Sequence, residues 1–119
     1  MSDTDALWDQ VYAAFDAHKV PQTPQVTLNR IATKCIGLSF DPSNCDIHEE
    51  ILTLDELRRL NRYSEDDDRP HWDVEPIVVL AYNGQRIVID GRRRVTKWLK
   101  EGRTKPRLAL IIEPRPLTL

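Results

Sequence analysis

Apolar residues near the N-terminus recur at helical spacing. Trp8, Val11, Tyr12 and Phe15 follow the i, i+3, i+4, i+7 rule. They predict one apolar stripe on a helix from Asp3 to Val20. Ser2, Asp3 or Thr4 can cap it, and Asp5 suits a first turn that faces the positive end of the helix dipole. Pro21 and Pro24 stop it, because neither can donate a backbone hydrogen bond. This helix is more acidic than the rest of the chain.

The pattern then turns ambiguous. Ile36, Leu38 and Phe40 alternate as in a half-buried strand, while Val26, Leu28 and Ile31 fit a strand or a helical turn. Asp41-Pro42-Ser43-Asn44 reads as a turn. Ile51 and Leu52 suggest another short strand. Thr53-Leu54-Asp55-Glu56 is a capping box, in which the hydroxyl and the carboxylate three residues on satisfy free backbone N–H groups. Leu54, Leu57 and Leu60 follow at helical spacing, with Arg58, Arg59 and Arg62 outside. Ser64 to Arg69 is polar and acidic and reads as a solvated loop.

The clearest unit opens at Pro76. Ile77 to Leu80 is an apolar run suited to a strand buried on both faces. Asn83-Gly84 is a hairpin turn signal, and Gln85 to Ile89 returns as a second strand. Asp90-Gly91 ends it, and a helix begins at Arg92, with Val95, Trp98 and Leu99 as its apolar face. Lys97 and Lys100 fall in its last turns, and Gly102 is a natural residue to follow its end. Leu108 to Ile112 is a final strand, closed by Pro114 and Pro116. These elements predict one α+β domain over residues 1–119: a small mixed sheet with packed helices, preceded by an N-terminal helix and linker over 1–25.

Composition narrows the function classes. The 119 residues carry 17 Lys and Arg against 19 Asp and Glu, a net charge of -2. That excludes a uniformly basic nucleic-acid coat but leaves room for a local basic patch. No apolar run approaches the roughly 18 residues of a membrane span. The start, Met-Ser-Asp-Thr-Asp, lacks the features of a signal peptide. The expectation is a cytoplasmic protein with no membrane partner, in which Cys35 and Cys45 are free thiols.

The basic patch is found between Arg86 and Arg107, where nine Lys and Arg face only Asp90 and Glu101. Within it, a strand is followed by Asp90-Gly91 and then Arg92-Arg93-Arg94 at a helix start. A helix N-terminus exposes unpaired N–H groups and about half a positive charge. Gly91 lets backbone approach a ligand closely. Adjacent arginines offer forked donors that match phosphate oxygens. Gly91, Arg92, Arg93 and Arg94 are therefore candidate phosphate-binding residues.

Pro76-Ile77-Val78-Val79, the hairpin, Ile87-Val88-Ile89-Asp90-Gly91-Arg92-Arg93-Arg94 and the closing strand resemble the ParB/sulfiredoxin superfamily. The resemblance covers residues 51–113, a ParB-like core. It implies that Gly91, Arg93 and Arg94 hold nucleotide phosphates, with Mg²⁺ beside the nucleotide as cofactor. The family's acidic residue after the glycine is Arg92 here. Sulfiredoxins carry a catalytic Cys at that place, and Arg92 cannot replace its chemistry, which argues against sulfinic-acid reduction. The helix-turn-helix and dimerisation domains of partition proteins are missing from this sequence.

Weaker signals carry less. His48 and Glu50 give His-x-Glu, but no Pro-Cys-x-x-Cys follows to complete a zinc deaminase signature. Cys35, Cys45, His48 and His71 fit no standard zinc spacing. Asp66, Asp67 and Asp68 read as a solvated acidic loop, and Trp72 as a packing residue between His71 and Asp73. The leading expectation is a ParB-like module that binds a nucleotide or a nucleic-acid backbone through its phosphates, with no strong base preference. The alternatives are a nuclease or nucleotide-dependent phosphotransferase, and a non-catalytic protein-interaction module with oppositely charged faces. For catalysis Glu56, Asp73, Glu75 or Asp90 would supply the missing acid; no catalytic residue and no metal ligand is assigned.

Overall fold

A computed structural model describes residues 3–20, 40–61, 74–82 and 84–116. Among them, three helices and four strands form a small α+β fold with an N-terminal helix: α1 Asp3–Ala17, β1 Phe40–Leu52, α2 Leu54–Leu60, β2 Ile77–Tyr82, β3 Gln85–Asp90, α3 Arg92–Lys100 and β4 Arg107–Pro116. The strands make one mixed sheet in the order β1-β4-β2-β3. β1 pairs antiparallel with β4, and β2 pairs antiparallel with β3 but parallel with β4. The predicted Val26 to Ile31 and Ile36 to Leu38 segments, the Ser64 to Arg69 loop, Asn83, Cys35 and residues 71–73 lie outside the described residues.

Strand alternation sends β2 into two cores. Val78 and Leu80 join Val11 and Phe15 of α1 on one face of the sheet, with Ile89, Leu110 and Ile112. Ile77, Val79 and Ala81 face the other way, onto Leu54 and Leu57 of α2 and Val95 and Trp98 of α3. Helices thus cover both sides of β2, which is why its sequence is a continuous apolar run rather than an alternating one. In α1, Val11 and Phe15 are buried and Tyr12 is 44% exposed, so the stripe is narrower than its spacing suggests. The side chain of Trp8 lies outside the described part. His18 Nδ1 lies 2.7 Å from Glu49 Oε1 and ties the end of α1 to β1.

Three expectations need correction around β1 and β4. Asp41 to Asn44 is not a turn between elements but part of β1; Asp41 stands opposite Arg115 and Cys45 opposite Pro114, so the intervening residues form an irregularity in the ladder. Ile51 and Leu52 are not a separate short strand but the end of the same 13-residue one. Its middle shows little apolar alternation: Asp46, His48 and Glu50 share one face, with His48 3.1 Å from Asp46 and 2.7 Å from Glu50. β4 also runs through Pro114 instead of ending before it. β2 accompanies β4 only as far as Ile112, so past that point β4 has a pairing neighbour on the β1 side alone. Proline is tolerated where a ladder bond is not required.

The start of α2 and the end of α3 follow local chemistry. Glu56 N–H donates to Thr53 Oγ1 at 3.1 Å and Thr53 N–H donates to Glu56 Oε1 at 3.4 Å, a complete capping box. At the end of α3, Gly102 N–H donates to the Leu99 carbonyl at 3.2 Å and Arg103 N–H to the Trp98 carbonyl at 3.0 Å. With Gly102 at φ +68°, this is a Schellman motif. No helix among the described residues is long and apolar enough to cross a membrane.

Candidate functional site

The site is the junction of β3 and α3. β3 reaches it through a bulge: Val79 stands opposite Val88, but Val78 stands opposite Asp90. Gly91 then takes φ +90° and ψ 15°, a left-handed conformation, and becomes the N-cap of α3. An added Cβ at Gly91 would lie 2.7 Å from Ile77 Cγ2 and 2.8 Å from a terminal nitrogen of Arg94. Conformation and space both demand glycine here. Gly91 offers no side-chain cap, and the first turn of α3 contains no acidic residue.

The three arginines have three environments. Arg93 is exposed and Arg92 is half-buried. The Arg92 carbonyl accepts from Asn61 Nδ2 at 3.1 Å and from Thr96 Oγ1 at 3.0 Å. Asn61, the C-cap of α2, also donates to Thr96 Oγ1 at 3.0 Å, so the end of α2 is fastened to the start of α3. Arg94 is buried, and its guanidinium donates to the Val74 carbonyl, just ahead of the cis Glu75–Pro76 bond. Burial pushes the Arg94 guanidinium below the usual arginine range, against the pull of the Asp90 and Glu75 carboxylates.

A second buried arginine supports the same corner. Arg107 is 2% exposed and lies 4.1 Å from the ring centre of the fully buried Trp98. Its guanidinium approaches Glu75 Oε1 at 3.7 Å. Arg94 and Arg107 thus converge on the segment that leads into β2. Of the four acids considered for catalysis, Glu75 and Asp90 come to this corner, Glu56 closes the capping box of α2, and Asp73 lies outside the described residues.

The basic run from Arg86 to Arg107 is divided by the fold. Arg86 is drawn across the sheet to Glu50, donating at 3.1 and 2.7 Å to its two oxygens. Arg103 pairs with Glu101 at 2.8 Å. Arg94 and Arg107 are interior. Arg93, Lys100 and Lys105 are exposed and Lys97 half-buried. Sequence spacing could have separated Arg94 from Arg93: Arg94 is adjacent to Val95 and one turn before Trp98, on the apolar side of α3. Asn61 and Arg107 carried no such signal, because their partners are 31 and 32 residues away in the chain.

Cys45 carries a free thiol. Among the described residues, no group of three or more His, Cys, Asp or Glu side chains is placed to hold a metal ion. No family model matches this chain, and no curated protein or solved structure matches it either. The class is therefore set by fold and junction alone: a small α+β domain with a glycine-capped, arginine-rich helix start.

Proposed function

We propose that this domain is a ParB-like phosphate-binding module, taking the phosphate of a nucleotide or of a nucleic-acid backbone at the start of α3. The observation that carries the reading is the left-handed Gly91, which caps α3 with no side-chain hydrogen bond, followed by a first turn of arginines and no acid. An anion over that turn meets backbone N–H groups, the positive end of the helix dipole and the guanidinium groups of Arg92 and Arg93. Arg94, held on the Val74 carbonyl, keeps the Gly91 turn against the entry of β2. The role the resemblance gives to Arg94 is thus divided in this reading: Arg93 contacts the anion and Arg94 positions the turn.

Calorimetric titration with inorganic phosphate and with nucleotides, each with and without Mg²⁺, tests the reading. A charge-assisted hydrogen bond contributes about 1.5–3 kcal/mol, so Arg93→Ala should weaken binding roughly 10- to 100-fold. Arg93→Lys should recover only part, because an ammonium cannot make the two-pronged contact. Phosphate binding unchanged in Arg93→Ala would remove this arginine from the site.

A further inference from the structure

We infer that the ligand is a nucleic-acid backbone bound along α3 through several successive phosphates, rather than a single nucleotide; this rests on the phosphate reading above. Arg93, Lys97 and Lys100 follow one another at i, i+4 and i+7, so they lie along one side of the helix. Arg93 and Lys100 are exposed and Lys97 is half-buried, while Arg94, Val95 and Trp98 turn inward. Seven residues separate Arg93 from Lys100, roughly 10 Å of helix axis at 1.5 Å per residue. Lys105 extends the exposed basic surface beyond the Schellman turn.

Nothing along this ridge is acidic within α3: Arg92–Lys100 contains no Asp or Glu. Of the two flanking acids, Asp90 is buried and Glu101 is paired with Arg103. The whole chain is net acidic, so the ridge is a local concentration of charge and not a property of the surface at large. Phosphates of one duplex strand advance about 3.4 Å along the axis per nucleotide. Because the strand also winds around that axis, neighbouring phosphates stand roughly 6–7 Å apart, so about 10 Å of basic helix with its long side chains reaches two to three of them, whereas the phosphates of a mononucleotide sit together at one end of the molecule. Helix length, one-sidedness and spacing match a repeating anion.

The test compares inorganic phosphate, a mononucleotide, a labelled 12-nucleotide strand, its duplex and a polyglutamate of equal charge, by anisotropy or calorimetry across a salt series. The strand or duplex should bind at least about 10-fold more tightly than the mononucleotide. Its log affinity should fall against log salt with a slope of about 3, as expected for four basic contacts. The double variant Lys97→Gln, Lys100→Gln should lose about 10-fold in nucleic-acid affinity and about 2 in slope. It should keep its melting temperature and its affinity for inorganic phosphate. Nucleic acid bound no better than the mononucleotide, or a slope unmoved in the double variant, overturns the inference and leaves the phosphate reading standing. Polyglutamate bound as tightly as nucleic acid overturns it in favour of an acidic protein segment. Failure of every phosphate ligand to bind overturns both.

Discussion

Charge is handled in two ways in this domain, on the same face of one sheet. Under α3, Arg94 and Arg107 are buried and hold the approach to β2 through Val74 and Glu75. On β1, His48 lies between Asp46 and Glu50 at 3.1 and 2.7 Å, and Glu50 also receives Arg86. Both regions pair opposite charges, but solvent separates their energetics. A buried guanidinium has lost its water, so removing its partner leaves a desolvated charge. An exposed pair gains little and is screened. The interior pairs therefore fix geometry, while the surface network fastens one edge strand of the sheet to the other.

The largest expected effect comes from breaking the interior. Arg107→Ala removes the stack on Trp98 and takes the guanidinium 3.7 Å from Glu75 away. Losing one partner of a buried pair costs about 3–5 kcal/mol, and Glu75, at 27% exposure, keeps some water. A loss of about 3 kcal/mol in urea unfolding is expected, with a fall in Tm of roughly 10 °C. Pairing Arg107→Met with Glu75→Gln should cost less than Arg107→Ala alone, since no charge is then stranded. A double variant as unstable as Arg107→Ala would show that the guanidinium's own stack on Trp98, which neither Met nor Ala reproduces, outweighs the stranded charge.

Next in size is the contrast between two neighbouring arginines. Arg94→Ala deletes a charge-assisted bond to the Val74 carbonyl and should cost about 2 kcal/mol. Arg93→Ala changes an exposed side chain and should stay within about 0.5 kcal/mol of the parent. Equal losses in the two melting curves would mean that Arg93 also serves the scaffold.

How far the sequence foretold this contrast depended on the range of the interaction. The Thr53 capping box, the Gly102 Schellman turn and the two-faced burial of Ile77 to Leu80 were legible, because each is set by residues within a few positions of one another. The strand through Asp46, His48 and Glu50 was not, since its polar face is satisfied by Arg86 and Arg115 from distant strands. The junction at Gly91 was found from its local pattern. The burial of Arg94 lay in the same pattern, through its spacing to Trp98, but three adjacent arginines read as one basic cluster. Arg107 looked like surface charge because nothing near it in the chain announces Glu75 or Trp98.

The smallest effect is expected at the exposed network, and pH is the way to isolate it. Hydrogen bonds from Arg86 first, and from His48 second, hold the Glu50 carboxyl below the usual glutamate range, with weak opposition from desolvation. The same contact raises Arg86, which stays charged at any working pH. A depressed carboxyl contributes stability that is fully present above its unfolded value of 4.5 and is lost as pH falls through its folded value. The side chains of Glu50 and Arg86 are 31% and 38% exposed, so screening limits the contribution to about 0.2–1 kcal/mol. In a double-mutant cycle of Glu50→Gln and Arg86→Ala, a coupling of that size should appear at pH 7. It should shrink in 1 M salt and vanish once the carboxyl is protonated. Coupling that persists unchanged at acid pH would mean that the pair is held by packing across the sheet, and the surface network would then belong with the interior one.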